Sequence, residues 1–208
     1  DELHDAGWVV NQARMWLASQ WAVRNDAAWQ DGEEWFFRHL LDGSRAANRL
    51  GWQWTAGLSK QKVYGFSRRQ VLNRAPGLCD RCELQAACPI TSWPDSPDRR
   101  PAPARSGPDD PTTVAGPATV ERQERPGHVW LTAESLGDED PAAAANLSLP
   151  ALFVFDEPLL RSLRLSAKRL VFLAECLADL AERREIEVWR GRPATIVADH
   201  AVAVTFAP

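Results

Sequence analysis

The sequence has no unbroken apolar stretch of the 18 or more residues that a helical membrane span needs. It has no charged-then-apolar N-terminal signal and no glycine-rich phosphate loop. Basic residues are not in excess either: 24 Lys and Arg stand against 28 Asp and Glu, a net charge of −4. These absences argue against a membrane-spanning protein, a Rossmann dinucleotide site and a uniformly basic nucleic-acid binder. The four histidines, His4, His39, His128 and His200, form no metal-ligand spacing, and no Ser-His-Asp or Cys-His arrangement can be read from the order of residues. The pairs Glu33-Glu34 and Asp109-Asp110 read as solvated. A chain of 208 residues suggests one or two domains. It opens on Asp1, directly into a motif, and reads as a piece of a longer protein whose thiols suit the reducing cytoplasm.

Tryptophan is the compositional outlier, with ten residues against a single tyrosine. Trp8, Trp16, Trp21, Trp29, Trp35, Trp52 and Trp54 all fall in the first 54 positions. Large aromatics are usually core filler or interface anchors, but a cluster this dense also suits a site that stacks planar rings. The charge is uneven as well. Between Leu40 and Arg81 stand Arg45, Arg49, Lys60, Lys62, Arg68, Arg69, Arg74 and Arg81, opposed only by Asp42 and Asp80. That stretch is either a face for a phosphate backbone or a solvated surface.

The spacing of apolar residues predicts a helix over 3–22, apolar on both faces and so buried on more than one side. A second helix is expected from about Gly32 to Leu41 with Asp31 as its N-cap. After a turn at Asp42-Gly43-Ser44, a third is expected, capped by Ser44 and running toward Trp54. Three such helices make an all-α unit. Residues 60–74 read as helix or extended chain. A proline-rich linker follows over 95–126. Beyond it the period changes: strands at Val129–Leu131, Ala151–Phe155 and Ile186–Trp189, and an amphipathic helix over Ser166–Arg184, indicate part of a parallel α/β layer. The expected fold is thus α plus α/β, divided into 1–94, 95–126 and 127–208.

The stretch from Leu3-His4-Asp5-Ala6-Gly7-Trp8 to Asn11-Gln12-Ala13-Arg14-Met15 resembles the flavin-domain signature of DNA photolyases and cryptochromes. Gly32-Glu33-Glu34-Trp35 through Asp42-Gly43, Ala46-Ala47-Asn48 and Gly51-Trp52-Gln53-Trp54 continue the match without a gap. The resemblance implies FAD in an all-helical pocket and blue-light electron donation to pyrimidine dimers in DNA. It implies that Asn11 and Arg14 line the flavin pocket, that Asp42 holds Arg14 beside the ring, and that Asn48 faces the flavin N5. It further implies that Met15 and Trp54 touch a flipped-out dimer, and that Trp52 and Trp29 are the inner members of an electron-carrying tryptophan chain. Read on its own chemistry, the alternative is that Arg14–Asp42 is a buried ion pair that merely fixes helix packing.

Departures from the pattern are Gln12 in place of an arginine that contacts DNA phosphate, Ser44 in place of a second aspartate, and Arg49 and Leu50 in place of asparagine and glycine. The segment after Trp54 differs too, and the family's phosphate-binding residues would lie upstream of Asp1. His128–Leu131, Asp138–Ala142, Ala151–Leu160, Arg169–Leu180 and Arg190–Pro193 resemble a photolyase antenna domain, here after the flavin motif instead of before it. This order implies a circularly permuted relative; the alternative is an unrelated α/β module.

Cys79-x2-Cys82-x5-Cys88 can ligate one metal centre. It resembles the tail of iron–sulfur RecB-like nucleases, and some bacterial members of the photolyase family carry a [4Fe–4S] cluster. The readings left open are such a cluster with a fourth ligand elsewhere, a zinc site, and simple thiols or a disulfide. Cys176, on the amphipathic helix, reads as a buried thiol. For function, light-driven dimer repair stands beside a FAD-binding light or redox sensor and a structural module without flavin. The oligomeric state is not legible.

Overall fold

A computed structural model describes residues 2–59, 62–94 and 125–205, so the proline-rich stretch 95–126, except its last two residues, lies outside the described residues, as does Lys60. The chain divides into two compact units, Asp1–Gly107 and Pro108–Pro208. The N-terminal unit is helical and the C-terminal unit is built on a parallel sheet, which makes the fold α plus α/β.

The N-terminal unit holds α1 (Glu2–Asp5), α2 (Asn11–Ala18), α3 (Trp29–His39), α4 (Arg45–Thr55), α5 (Arg68–Arg74) and α6 (Pro76–Asp80). The single helix expected over 3–22 is broken in its first half. Gly7 adopts φ 74°, closing α1 by donating to the Leu3 carbonyl at 3.1 Å. Val10, at ψ 148°, re-enters helix only at Asn11. The Gly7 carbonyl accepts from Leu41 N–H at 2.9 Å, tying the break to the end of α3. Apolar spacing ran through the break because Val9 is buried in the same core as Leu3 and Ala18. At its far end α2 widens into a π-helical turn, Ser19–Arg24.

α3 starts at Trp29, three residues before the expected start, with Ala28 as N-cap; Asp31 lies in its first turn, where a carboxylate favours the helix dipole. Gly32 is therefore a packing residue and not a helix start: a Cβ there would lie 2.2 Å from Cη2 of Trp52. Ser44 stands at the N-cap position of α4 in extended backbone, but its side chain makes no capping hydrogen bond. Trp29, Phe36, Leu40, Trp52 and Ala56 complete the core, with Phe36 and Trp52 edge to face at 5.0 Å between centroids.

The C-terminal unit is a four-stranded parallel sheet in the order β3-β2-β1-β4, from β1 (His128–Leu131), β2 (Ala151–Asp156), β3 (Ile186–Gly191) and β4 (Val202–Ala203). α7 (Pro141–Ala145), α8 (Glu157–Leu163), α9 (Ala167–Ala181) and α10 (Pro193–Val197) accompany it. The three expected strands and the long helix α9 are present, while α7, α8, α10 and β4 are too short for periodicity to reveal. Val129, Leu131, Ala151 and Phe153 meet Leu177 and Leu180 of α9 to form one core. Cys176, on α9, is only half-buried; that burial still pushes its thiol above the ordinary range. Among the described residues no helix is long and apolar enough to cross a membrane.

Candidate functional site

α2, α3 and α4 surround an open cavity of about 140 Å³ in the N-terminal unit. Asn11, Arg14 and Met15 reach it from α2; Asn48 and Trp52 reach it from α4; Asp42 stands on the turn between α3 and α4. Asn11, Arg14, Met15 and Ala18 share a wall because spacings of three and four bring α-helical side chains to one face. A pocket of this size is smaller than a whole dinucleotide requires.

Arg14 is fixed at both ends of its guanidinium. Nε donates to the Val9 carbonyl at 2.8 Å, and one terminal nitrogen donates to both Asp42 oxygens at 2.8 and 2.9 Å. The carboxylate is not buried, contrary to expectation: the Asp42 side chain is 51% exposed and that of Arg14 24%. An ion pair at the mouth of a cavity fixes the direction of a permanent positive charge without the desolvation cost of a core pair.

Asn48 is held from behind. Its amide nitrogen donates to the Glu33 carbonyl at 2.8 Å and to Glu33 Oε1 at 3.1 Å. Both amide hydrogens are thereby committed, so Asn48 offers further partners its oxygen as an acceptor. Glu33, expected to be solvated, is fully buried, with Arg45 at 3.5 Å and Arg49 at 3.6 Å. Burial pushes its carboxyl above the ordinary range, while Arg45, Arg49 and the Asn48 bond oppose that shift. Arg45 and Arg49 are half-buried against Glu33 and so are turned away from a basic face; Lys62, Arg69, Arg74 and Arg81 are exposed. The signal for this was available: Arg45, Asn48 and Arg49 fall at spacings of three and four on one face of α4 and so could meet a single carboxylate.

Trp29 is buried in the core and does not line the cavity. Trp54 lies away from it as well, its ring 5.2 Å from that of Tyr64. Tyr64 joins a network that sequence reading missed. Its hydroxyl accepts from Gln12 at 3.1 Å and donates to Gln70 at 2.7 Å, and Gln70 also accepts from the Trp16 indole at 3.0 Å. Cys79 and Cys88 are half-buried and Cys82 is exposed. Their sulfurs do not share one ligand sphere: among the described residues, the grouping of three ligand side chains is His128, Glu187 and His200.

Residues 1–75 match the signature of the FAD binding domain of DNA photolyase. Over this segment the chain is similar to the DNA photolyase family. The chain is 50% identical over 58 residues to a deoxyribodipyrimidine photo-lyase of Thermus thermophilus, covering 27% of this chain and 14% of the relative. It is 42% identical over 55 residues to the Escherichia coli K12 photo-lyase (26% and 12%), and 40% identical over 63 residues to that of Buchnera aphidicola (30% and 13%). The chain therefore spans about an eighth of the length of the curated relatives it matches. No solved structure matches it.

FAD is the cofactor of this domain type. The matched segment suits part of it: a fixed cation, a half-exposed carboxylate, an amide oxygen and an indole wall surround a cavity able to take one edge of a ring system. The volume and the lining residues suit a partial wall and not a complete pocket.

Proposed function

We propose that this chain supplies the isoalloxazine-facing wall of a FAD pocket in a light-driven enzyme that repairs pyrimidine dimers in DNA. The supporting observation is the convergence of Asn11, Arg14, Met15, Asp42, Asn48 and Trp52 on one cavity. Bound FAD would supply the electron chemistry, passing one electron to the dimer under light and recovering it when the dimer has split. The residues of the chain do the rest. Arg14, aimed by Asp42 and the Val9 carbonyl, sets a positive field beside the ring. Asn48, braced by Glu33, presents an acceptor oxygen, which favours a protonated over an unprotonated ring nitrogen. Trp52 closes the apolar side, and Trp29 in the same core extends the path for reducing electrons. Met15 and Trp54 would meet the extruded bases, replacing stacking lost from the duplex. Exposed Lys62, Arg69, Arg74 and Arg81 suit phosphate contacts.

Two observations favour a second reading, a cryptochrome-like light or redox sensor. Gln12 is bonded to Tyr64 and Trp54 faces the same tyrosine, so two positions expected to meet DNA are engaged within the chain. The antenna-like resemblance of the C-terminal unit supports a rearranged member of the family under either reading. An iron–sulfur cluster on Cys79, Cys82 and Cys88 would require their sulfurs to be drawn together, and no step is assigned to it.

The complete gene product decides between these readings. Oxidised-flavin absorption together with blue-light repair of dimer-containing DNA, lost in Asn48→Ala and Trp54→Ala, supports the enzyme. A flavin that photoreduces without repair supports the sensor. A colourless, folded protein overturns both.

A further inference from the structure

The parallel register of the C-terminal sheet brings together residues that are far apart in sequence. Val129, Ala151 and Ile186 are in register across β1, β2 and β3, and all face the core shared with α9. Strand alternation then turns His128, Leu152 and Glu187 to the opposite face. His128 and Glu187 reach across β2, above the fully buried Leu152, and His128 Nε2 lies 3.3 Å from Glu187 Oε1. His200, two residues before β4, sets its ring perpendicular to that of His128 with centroids 5.1 Å apart. One ligand atom from each of the three lies within 4.8 Å of the others, and all three residues are half-buried.

We propose that His128, Glu187 and His200 form a three-ligand site for a divalent transition-metal ion, with zinc as the best fit. The donor set is two imidazoles and one carboxylate, which suits zinc with a fourth position left for water. A tetrahedral ion with bonds of about 2.0–2.1 Å spaces its ligands about 3.3–3.4 Å apart, and the His128–Glu187 edge already has that length. The surrounding bonds orient the ligands as metal sites require. His200 Nδ1 lies 2.9 Å from the Ile196 carbonyl; donating its proton there leaves Nε2 with the lone pair. Glu187 divides its oxygens: Oε1 faces His128, while Oε2 accepts from the Trp189 indole at 3.3 Å. A bound ion would clasp β1, β3 and the segment leading into β4, stabilising the side of the sheet away from α9.

The test uses the full chain with Cys79, Cys82 and Cys88 changed to serine, so that thiols cannot supply the site. Zinc alone is titrated against a chromogenic chelator, and copper(II) is bound for electron paramagnetic resonance. One zinc per chain is expected, with a raised thermal midpoint and copper spectra showing two imidazole nitrogens. His128→Gln and His200→Gln each weaken binding by at least about a hundredfold, and Trp189→Phe weakens it by about tenfold, as loss of a supporting bond to a ligand does. His4→Gln leaves it unchanged. No saturable binding by the triple-serine chain overturns the proposal, as does binding that survives both His128→Gln and His200→Gln.

Discussion

Replacing Gly32 with alanine sets two opposing effects against each other in one residue. Gly32 lies inside α3, where alanine is favoured over glycine by about 1 kcal/mol. The added methyl would sit 2.2, 2.5 and 3.0 Å from Cη2, Cζ3 and Cζ2 of Trp52. That indole has little room to retreat: it is 3% exposed and its ring abuts Phe36. Overpacking costs about 1–3 kcal/mol, and three contacts on a rigid ring place this change at the upper end. The net loss is then about 2 kcal/mol, which for a unit of this size lowers the thermal midpoint by about 8–16 °C. Near-UV circular dichroism of the full chain follows it, because seven of the ten tryptophans lie in the first 54 residues. Gly51→Ala is the partner experiment. Nothing lies within 4 Å of a Cβ on Gly51, so helix propensity alone acts and the midpoint rises by up to about 4–8 °C. Gly51 also lines the cavity, so the same methyl should reduce flavin uptake. If Gly32→Ala matches or exceeds the wild-type midpoint, the packing reasoning is wrong.

Arg14→Lys should fold normally and lose most flavin binding, measured by flavin fluorescence on the complete gene product, since a single ammonium nitrogen lacks the planar fork that reaches Val9 from one nitrogen and Asp42 from another. Glu33 gives a pH signature. Burial raises its folded value above the unfolded one, so its contribution is fully present below the ordinary glutamate range and is lost as pH rises through the raised value. The thermal midpoint of the parent chain should therefore fall relative to Glu33→Gln as pH rises above the ordinary glutamate range, where exposed carboxylates are already ionised; parallel profiles would refute the burial argument. Because the three sulfurs do not share a ligand sphere, the triple change of Cys79, Cys82 and Cys88 to serine should leave the visible spectrum of the purified gene product unchanged. A lost shoulder beside the flavin bands would show that a cluster assembles them.

Most of the architecture follows from periodicity. α3, α4, α9 and three strands were legible because each repeats its apolar spacing long enough to be seen. The break at Gly7 was not, because Leu3 and Val9 enter the same core on either side of it. For the cavity, the family motif carried the residues: Asn11, Arg14, Met15, Asp42, Asn48 and Trp52 do meet. What it did not carry was burial. Neighbouring glutamates on a helix point about 100° apart, so Glu33 can be sealed while Glu34 is exposed, and no composition rule separates them. His128, Glu187 and His200 were invisible for another reason. Only strand register joins them, and register is a property of the folded sheet.

The scarcity of tyrosine gives the molecule a built-in reporter. Tyr64 is the only tyrosine in the chain, and it contacts Gln12, Gln70 and Trp54. Biosynthetic incorporation of a fluorinated tyrosine would place a single fluorine nucleus beside the position expected to receive bases, with no background from elsewhere in the sequence. One resonance could then register the arrival of DNA, the departure of Trp54 from its partner, or the absence of either.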